Sequence, residues 1–235
     1  MSILAIIPAR GGSVGLKNKN MYPLNKKPLL FYTIEAAKKV KLIDRIIVSS
    51  DSKKILSFSK KNKVEIITRP KKISNSNSTT HQAVLHSLNF LKKKKNYLPN
   101  IIIILQPTSP LRDSSQIKRA IKVFLRDKNA TSLVSCTKVP HNFHPMSLMK
   151  KNKDGYLIDF LKSKKKFFRR QDKDTLFARN GAAIYIIRRT HVKKFLFGGK
   201  IINFLMNYES SIDIDSLEDI KLAEKILKKK KMTSI

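Results

Sequence analysis

The chain has 235 residues, 41% of them hydrophobic, with 50 Lys and Arg against 16 Asp and Glu and a single cysteine. That content suits one medium domain with a real core, leaves no intrachain disulfide framework, and offers no run near the roughly 18 to 20 apolar residues of a membrane span. The net charge of +34 raises the question of a nucleic-acid partner. The lysines, however, are spread over the polar faces of helical segments ("EAAKKVK", "LKKKKN", "EKILKKKKM") without an Arg–aromatic stripe. A solvated lysine-rich surface is therefore expected rather than a nucleic-acid footprint, and either way its field draws in small anions. The first residues, "MSILAIIPAR", lack a basic region before a short apolar run, so no signal peptide is expected. The lone Cys136 fits a reducing cytoplasm.

In chain order, "SILAIIP" (2–8) is a continuous apolar run, as in a strand buried on both faces. A donor-rich loop follows, holding Arg10, Gly11, Gly12, Ser13, Lys17, Lys19 and Asn20. Then come a helix over 29–42, a strand over 45–51, a helix over 52–62 and a short strand over 64–68. A helix over 78–94 opens on hydroxyl residues that can cap it, and "NIIIILQ" (100–106) is the strongest strand pattern. A helix over 113–128 and a strand over 131–139 follow. Beyond Pro140 the pattern turns irregular, which reads as an insertion. A strand over 181–189, a short helix at "THVKKFLF", a strand over 200–208 and a closing helix over 216–231 complete the chain, with Ser216 as a candidate cap.

Alternating strands and helices predict an α/β fold, a three-layer, mostly parallel sheet with helices on both faces, in one domain spanning 1–235. Ligands of such sheets sit beyond the carboxyl ends of the strands. "PARGGS", "SSD", "TRP" and "QPTSPLR" each follow a strand and so define one polar rim. In the first loop, glycines let backbone N–H groups approach an anion, and Arg10, Lys17 and Lys19 add charged donors, which suits a polyphosphate. Neither the P-loop nor the dinucleotide glycine pattern is present.

"LQPTSPLR" (105–112) has prolines bracketing Thr108 and Ser109. It reads equally as a rigid turn or as a loop presenting Gln106 to a ligand. "SIDIDSLED" places Asp213 and Asp215 on one side of an extended segment, anchored by Ile212 and Ile214. Two such carboxylates suit a cation, and oxygen-only ligands suit Mg²⁺ shared with phosphates; helix capping is the simpler use of such a stretch. The five histidines show no zinc spacing, and Cys136 is expected in the core.

The ordered set "IIPARGGSVGLKNKN", "DRIIVSSD", "TRP", "LQPTSPLR", "RRQD", "ARNGAAIYI" and "SIDIDSLEDIKLAE" resembles the acylneuraminate cytidylyltransferase family, the CMP-sialic acid synthetases, over nearly the whole chain. That family also includes enzymes activating legionaminic and pseudaminic acid. The resemblance implies a nucleotide-diphospho-sugar transferase-like, Rossmann-like fold. It also implies a CTP-dependent nucleotidyltransferase that joins CMP to a nonulosonic (sialic-type) acid and releases pyrophosphate, for glycan biosynthesis.

By the same resemblance, Arg10 and Lys19 contact the triphosphate, Ser13 with the backbone of Gly11 and Gly12 cradles phosphate, and Asn20 contacts the nucleotide. Arg69 with Thr79 and Thr80 reads the cytosine. Gln106, Arg170 and Asn180 face the sugar. Asp213 and Asp215 hold Mg²⁺, with Asp215 or a metal-bound hydroxide taking the anomeric proton. The stretch 140–175 corresponds to a dimerisation arm that reaches the neighbouring subunit's site, which implies a homodimer. Val14 stands where the family usually carries Lys, and Ser147 stands where some relatives carry one. The alternatives are a related nucleotidyltransferase for another sugar acid, and a basic nucleic-acid-binding protein on a degenerate fold.

Overall fold

The computed structural model describes residues 1–12, 15–161 and 173–232. Its first strand, β1 (Ile3–Pro8), is buried throughout except at its last residue. It pairs in parallel with β4 (Arg45–Ser50) on one side and β6 (Ile101–Ile104) on the other. β5 (Glu65–Thr68) extends the sheet beyond β4, again in parallel. The alternation of side chains along β1 explains the continuous apolar run. Ile3, Ala5 and Ile7 pack with Leu30, Ile34, Ile117 and Phe124 of two helices, while Leu4 and Ile6 pack with Val84, Leu88 and Leu91 of a third. The first two helices are α1 (Leu29–Lys38) and α4 (Ser114–Arg126); the third, on the opposite face, is α3 (Thr80–Lys95). α2 (Lys53–Lys61) sends Ile55 into the first cluster. Fully burying each such aliphatic side chain contributes about 1.5–3 kcal/mol, so two helical layers over one sheet are the stable solution.

Beyond β6 the sheet changes direction. β11 (Tyr185–Arg188) runs antiparallel between β6 and β7 (Ser132–Lys138). β12 (Ile201–Leu205) pairs in parallel with β7 from Ser132 to Cys136. β10 (Phe177–Arg179) pairs antiparallel with the last residues of β7, so it shares an edge with β11 across the turn at 180–184. The sheet is thus mostly parallel, with helices on both faces. The rim at the carboxyl ends of β1, β4, β5 and β6 also receives the segment leaving β12.

Several boundaries differ from the sequence expectation. Residues 181–184 are a turn rather than strand, because Gly181 adopts φ +66°. "THVKKFLF" forms consecutive turns and no helix. Its aromatics are drawn inward: Phe197 packs edge-on against Tyr185 at 5.2 Å and under Arg179 at 4.7 Å, while Gly199 at φ +67° turns the chain. A small hairpin, β2 (Pro23–Leu24) and β3 (Lys27–Pro28), was not expected. In the irregular stretch, β8 (Met149–Lys151) and β9 (Leu157–Asp159) form a separate two-stranded sheet. The closing helix, α5 (Leu217–Met232), follows Ser216, whose hydroxyl accepts from the Asp219 amide at 3.3 Å. α5 sends Ile220, Ala223 and Ile226 into a third cluster with Leu16, Leu24 and Leu111.

Candidate functional site

A cavity of about 390 Å³ opens on the rim, lined by Arg10, Lys19, Asn20, Arg69, Thr79, Thr80, Gln106, Thr108, Asp213 and Asp215 among others. Each reaches it for a local reason. Arg10 stands just past β1, and its Nη1 donates to the Asn75 carbonyl at 2.7 Å. Asn20 is buried, and its Nδ2 donates to the Arg10 carbonyl at 2.8 Å, holding the loop's two ends together. Arg69 follows β5 directly, and its amide donates to the Ser50 carbonyl at 2.7 Å. Arg69 as a whole is only 5% exposed, and its Nε finds no protein acceptor. Burial pushes the Arg69 group down, with Asp51 opposing and Arg10 adding to the shift. Two guanidiniums sharing a cavity favour an anion between them.

Thr79 caps α3. Its hydroxyl accepts from the Gln82 amide at 3.2 Å, and the Gln82 side chain accepts from the Thr79 amide at 2.9 Å, a reciprocal capping box. The next hydroxyl, Thr80, accepts from the Gln106 amide Nε2 at 3.2 Å.

The acids enter from the segment after β12. Ile212 and Ile214 are buried in the third cluster, and the Ile214 amide donates to the Thr108 carbonyl at 2.8 Å. Asp213 and Asp215 therefore flank a fixed residue. Asp213 accepts from the Ser109 hydroxyl at 3.5 Å. Burial raises the Asp213 carboxyl above the usual range; the Thr108 hydroxyl, Lys19 and Ser109 oppose that shift and Asp215 adds to it. Asp215 is exposed and pairs with Lys19 Nζ at 2.6 Å. Glycine is required at 181: besides its left-handed φ, a Cβ there would lie 2.7 Å from Asp213 Oδ2. At Gly15 a Cβ would meet the Asp215 carbonyl at 2.9 Å, so the first loop packs directly on the acid segment.

A second cavity of about 390 Å³ shares Asp213 and is lined also by Thr137, Arg179, Asn180, Gly181, Tyr208 and Ser211. The two cavities meet at one carboxylate.

Other expected residues sit elsewhere. Gly11 and Gly12 are outside the lining of the first cavity, and the Gly11 amide donates to Asp51 Oδ1 at 2.9 Å, so in this arrangement it is not offered to an anion. Lys17 is exposed and also outside the lining. Asn180 lines the second cavity, but its amide is committed. Its Oδ1 accepts from Ser135 Oγ at 2.7 Å and its Nδ2 donates to Ser211 Oγ at 2.9 Å, which makes it a tie between β7 and the acid segment. Ser13, Val14 and Arg170 lie outside the described residues. Sequence reasoning set "SSD" and "QPTSPLR" on the rim but gave no role to Asp51, whose carboxylate orients the first loop, or to Arg112, buried behind Gln106. The only signal for Arg112 was its place at the end of "QPTSPLR".

Among the described residues no three His, Cys, Asp or Glu side chains gather as a ready-made metal site. The donors at hand are oxygens: two carboxylates, one of them desolvated, beside two hydroxyls. That set fits a hard cation such as Mg²⁺ that completes its shell with phosphate oxygens and water.

Comparison with known proteins follows the same line. The profile of the family described as "Cytidylyltransferase" matches residues 4–233. The N-acylneuraminate cytidylyltransferase of Escherichia coli O18:K1:H7 is 32% identical over 99% of this chain and 54% of its own length. The chain thus spans about half the length of that relative. The CMP-N,N'-diacetyllegionaminic acid synthase of Legionella pneumophila is 30% identical over 97% of both chains. The solved CMP:2-keto-3-deoxy-manno-octonic acid synthetase, complexed with CTP, superposes with a TM-score of 0.71 over 98% of this chain and 100% of that one, at 15% identity. At that identity the superposition speaks for the fold.

Proposed function

The chain belongs to the cytidylyltransferase family, and from that premise we propose that it activates a nonulosonic acid with CTP, giving the CMP-sugar and pyrophosphate. The anomeric hydroxyl of the acid forms a bond to the α-phosphorus of CTP. The bond from that phosphorus to the β-phosphate oxygen breaks, pyrophosphate leaves, and the hydroxyl proton passes to a carboxylate of the cavity. The observation that carries this reading is a single cavity facing Arg10, Lys19 and Arg69 toward Asp213 and Asp215. A polyanion alone gains nothing from two acids beside it; a polyanion with a divalent cation uses both signs.

Arg10 and Lys19 then hold the triphosphate, and Asn20 keeps the Arg10 loop closed. Arg69, with Thr79 and Thr80 at the start of α3, takes the base. Asp213 and Asp215 would hold Mg²⁺, which when bound neutralises phosphate charge. The sugar acid takes the second cavity, whose lining offers Arg179 as a partner for its carboxylate. Positioning and charge neutralisation supply the rate, as in phosphoryl transfer generally.

The exposed apolar side chains of the irregular stretch, among them Phe143, Tyr156 and Leu157, suit contact with a second copy of the chain. A homodimer in a reducing cytoplasm, serving glycan biosynthesis, completes the proposal.

The test incubates the protein with CTP, Mg²⁺ and N-acetylneuraminic, legionaminic or pseudaminic acid and follows pyrophosphate. Release with one of these acids, lost on adding a chelator, is expected. No release with any of them, beside tight salt-sensitive RNA binding, would replace this reading with the nucleic-acid one.

A further inference from the structure

Arg112 follows the loop after β6 and is 2% exposed. Its hydrogen-bond partners are neutral and come from three elements. Nη1 donates to the Gln106 carbonyl at 3.2 Å and to the Ala183 carbonyl at 2.7 Å. Nη2 donates to the Thr33 hydroxyl of α1 at 2.7 Å. That hydroxyl in turn donates to the Gln106 carbonyl at 3.4 Å, and the Gln106 amide donates to the Ala182 carbonyl at 3.0 Å. Gln106 is therefore gripped at both backbone poles, by the turn that carries Gly181 and by Arg112.

A guanidinium buried without a bonded carboxylate is costly to hold. Burial pushes the group down to about 9, partly offset by the field of Asp213. A neutral side chain of similar size would fill the space at lower cost, so the charge and its fork geometry point to a role beyond packing. The elements it joins are those that present Gln106 to the first cavity and Gly181, against the Asp213 carboxylate, to the second. None of its bonds reaches Arg10, Lys19 or Arg69.

We propose that Arg112 is a positioning residue for the acceptor half of the site: through the Gln106 and Ala183 carbonyls it sets where the sugar acid sits relative to the nucleotide. This rests on the reading given above for the two cavities. Arg112 touches neither substrate and acts through the backbone it clamps.

The test compares the wild type with Arg112→Met, Arg112→Lys and Thr33→Val, the last removing one acceptor of the clamp in a nearly isosteric way. CTP affinity is measured by calorimetry, kinetics against the sugar acid by pyrophosphate release, and local opening by amide hydrogen exchange. Displacing the acceptor lowers kcat/KM for the sugar acid by about a hundredfold in the Arg112 variants. Thr33→Val gives a smaller loss of the same kind. CTP affinity falls much less than kcat/KM for the sugar acid, because Gln106 borders the first cavity but makes none of its Arg10, Lys19 or Arg69 contacts. Exchange quickens at 106–109 and 182–184 but not at the start of α3.

Parallel loss of CTP affinity and sugar-acid kinetics, or uniform loosening across the chain, would overturn the inference. If Arg112→Met does not fold, Thr33→Val and Arg112→Lys carry the comparison. If the wild type releases no pyrophosphate with any acid, the reaction reading fails. The exchange pattern then still decides whether Arg112 holds the two segments.

Discussion

At Asp213, burial and the neighbouring Asp215 hold the carboxyl above its usual range even though Thr108, Lys19 and Ser109 oppose them. A carboxyl whose folded value exceeds its unfolded value carries no stability cost below the ordinary carboxylate range. The cost appears as pH rises through that range and is complete above the folded value. Asp213→Asn in chelator-treated protein is therefore expected to raise Tm at pH 7, with the gain shrinking as the pH is lowered through the ordinary carboxylate range. The same variant is expected to lose about a hundredfold or more in turnover, because a charged contact to the transition state is gone. Thermal melts across pH beside pyrophosphate assays check both halves; a variant with wild-type turnover would remove the metal assignment. Of the site residues, the acid pair was readable because apolar neighbours on either side announce an anchored segment. Arg112 was not. An arginine between a leucine and a helix-capping aspartate looks solvated until α1, β6 and β11 converge on it.

Among the elements, β1, β4 and β6 were legible because strands buried on both faces cannot alternate, and an apolar run of that length between polar loops has few other uses. The β2–β3 hairpin was hidden because its turn places Asn25 and Lys26 at φ 44° and 64°. Asparagine tolerates that region, but nothing marks a lysine as bound for it. The turns after β11 were misread as a helix because apolar spacing alone does not tell a helical stripe from side chains pulled separately onto a core. The start of α3 was legible from its hydroxyls, and it ties stability to the site, since Thr79 both caps the helix and lines the cavity. Thr79→Ala is expected to cost about 1 kcal/mol in urea unfolding. Thr79→Ser, which keeps the acceptor, is expected to restore most of it. Equal losses in both would show that the methyl group, not the cap, is what matters.

For the whole molecule, the surplus of cations was the first thing the composition offered and the least specific. Spread over the surface, it sets a long-range field that hastens the arrival of triphosphates and sugar acids without choosing between them. At constant free Mg²⁺, kcat/KM for CTP is expected to fall as KCl rises from low salt to physiological strength, where the screening length shrinks to about 8 Å. kcat should change little. A salt-independent kcat/KM would confine the electrostatics to the cavity.

The pairing of β7 with β10 has a consequence of another kind. The excursion beginning after Lys138 returns at Phe177 as that residue's direct antiparallel partner, so its exit and entry stand side by side like the two posts of a doorway. Excising 140–175 and bridging the posts with a short glycine-rich link is expected to give a protein with the parent's far-ultraviolet dichroism and a single cooperative melt. It should elute as a monomer, where the parent is expected to self-associate. Such a shortened chain failing to fold would mean that the excursion braces the sheet rather than hanging from it.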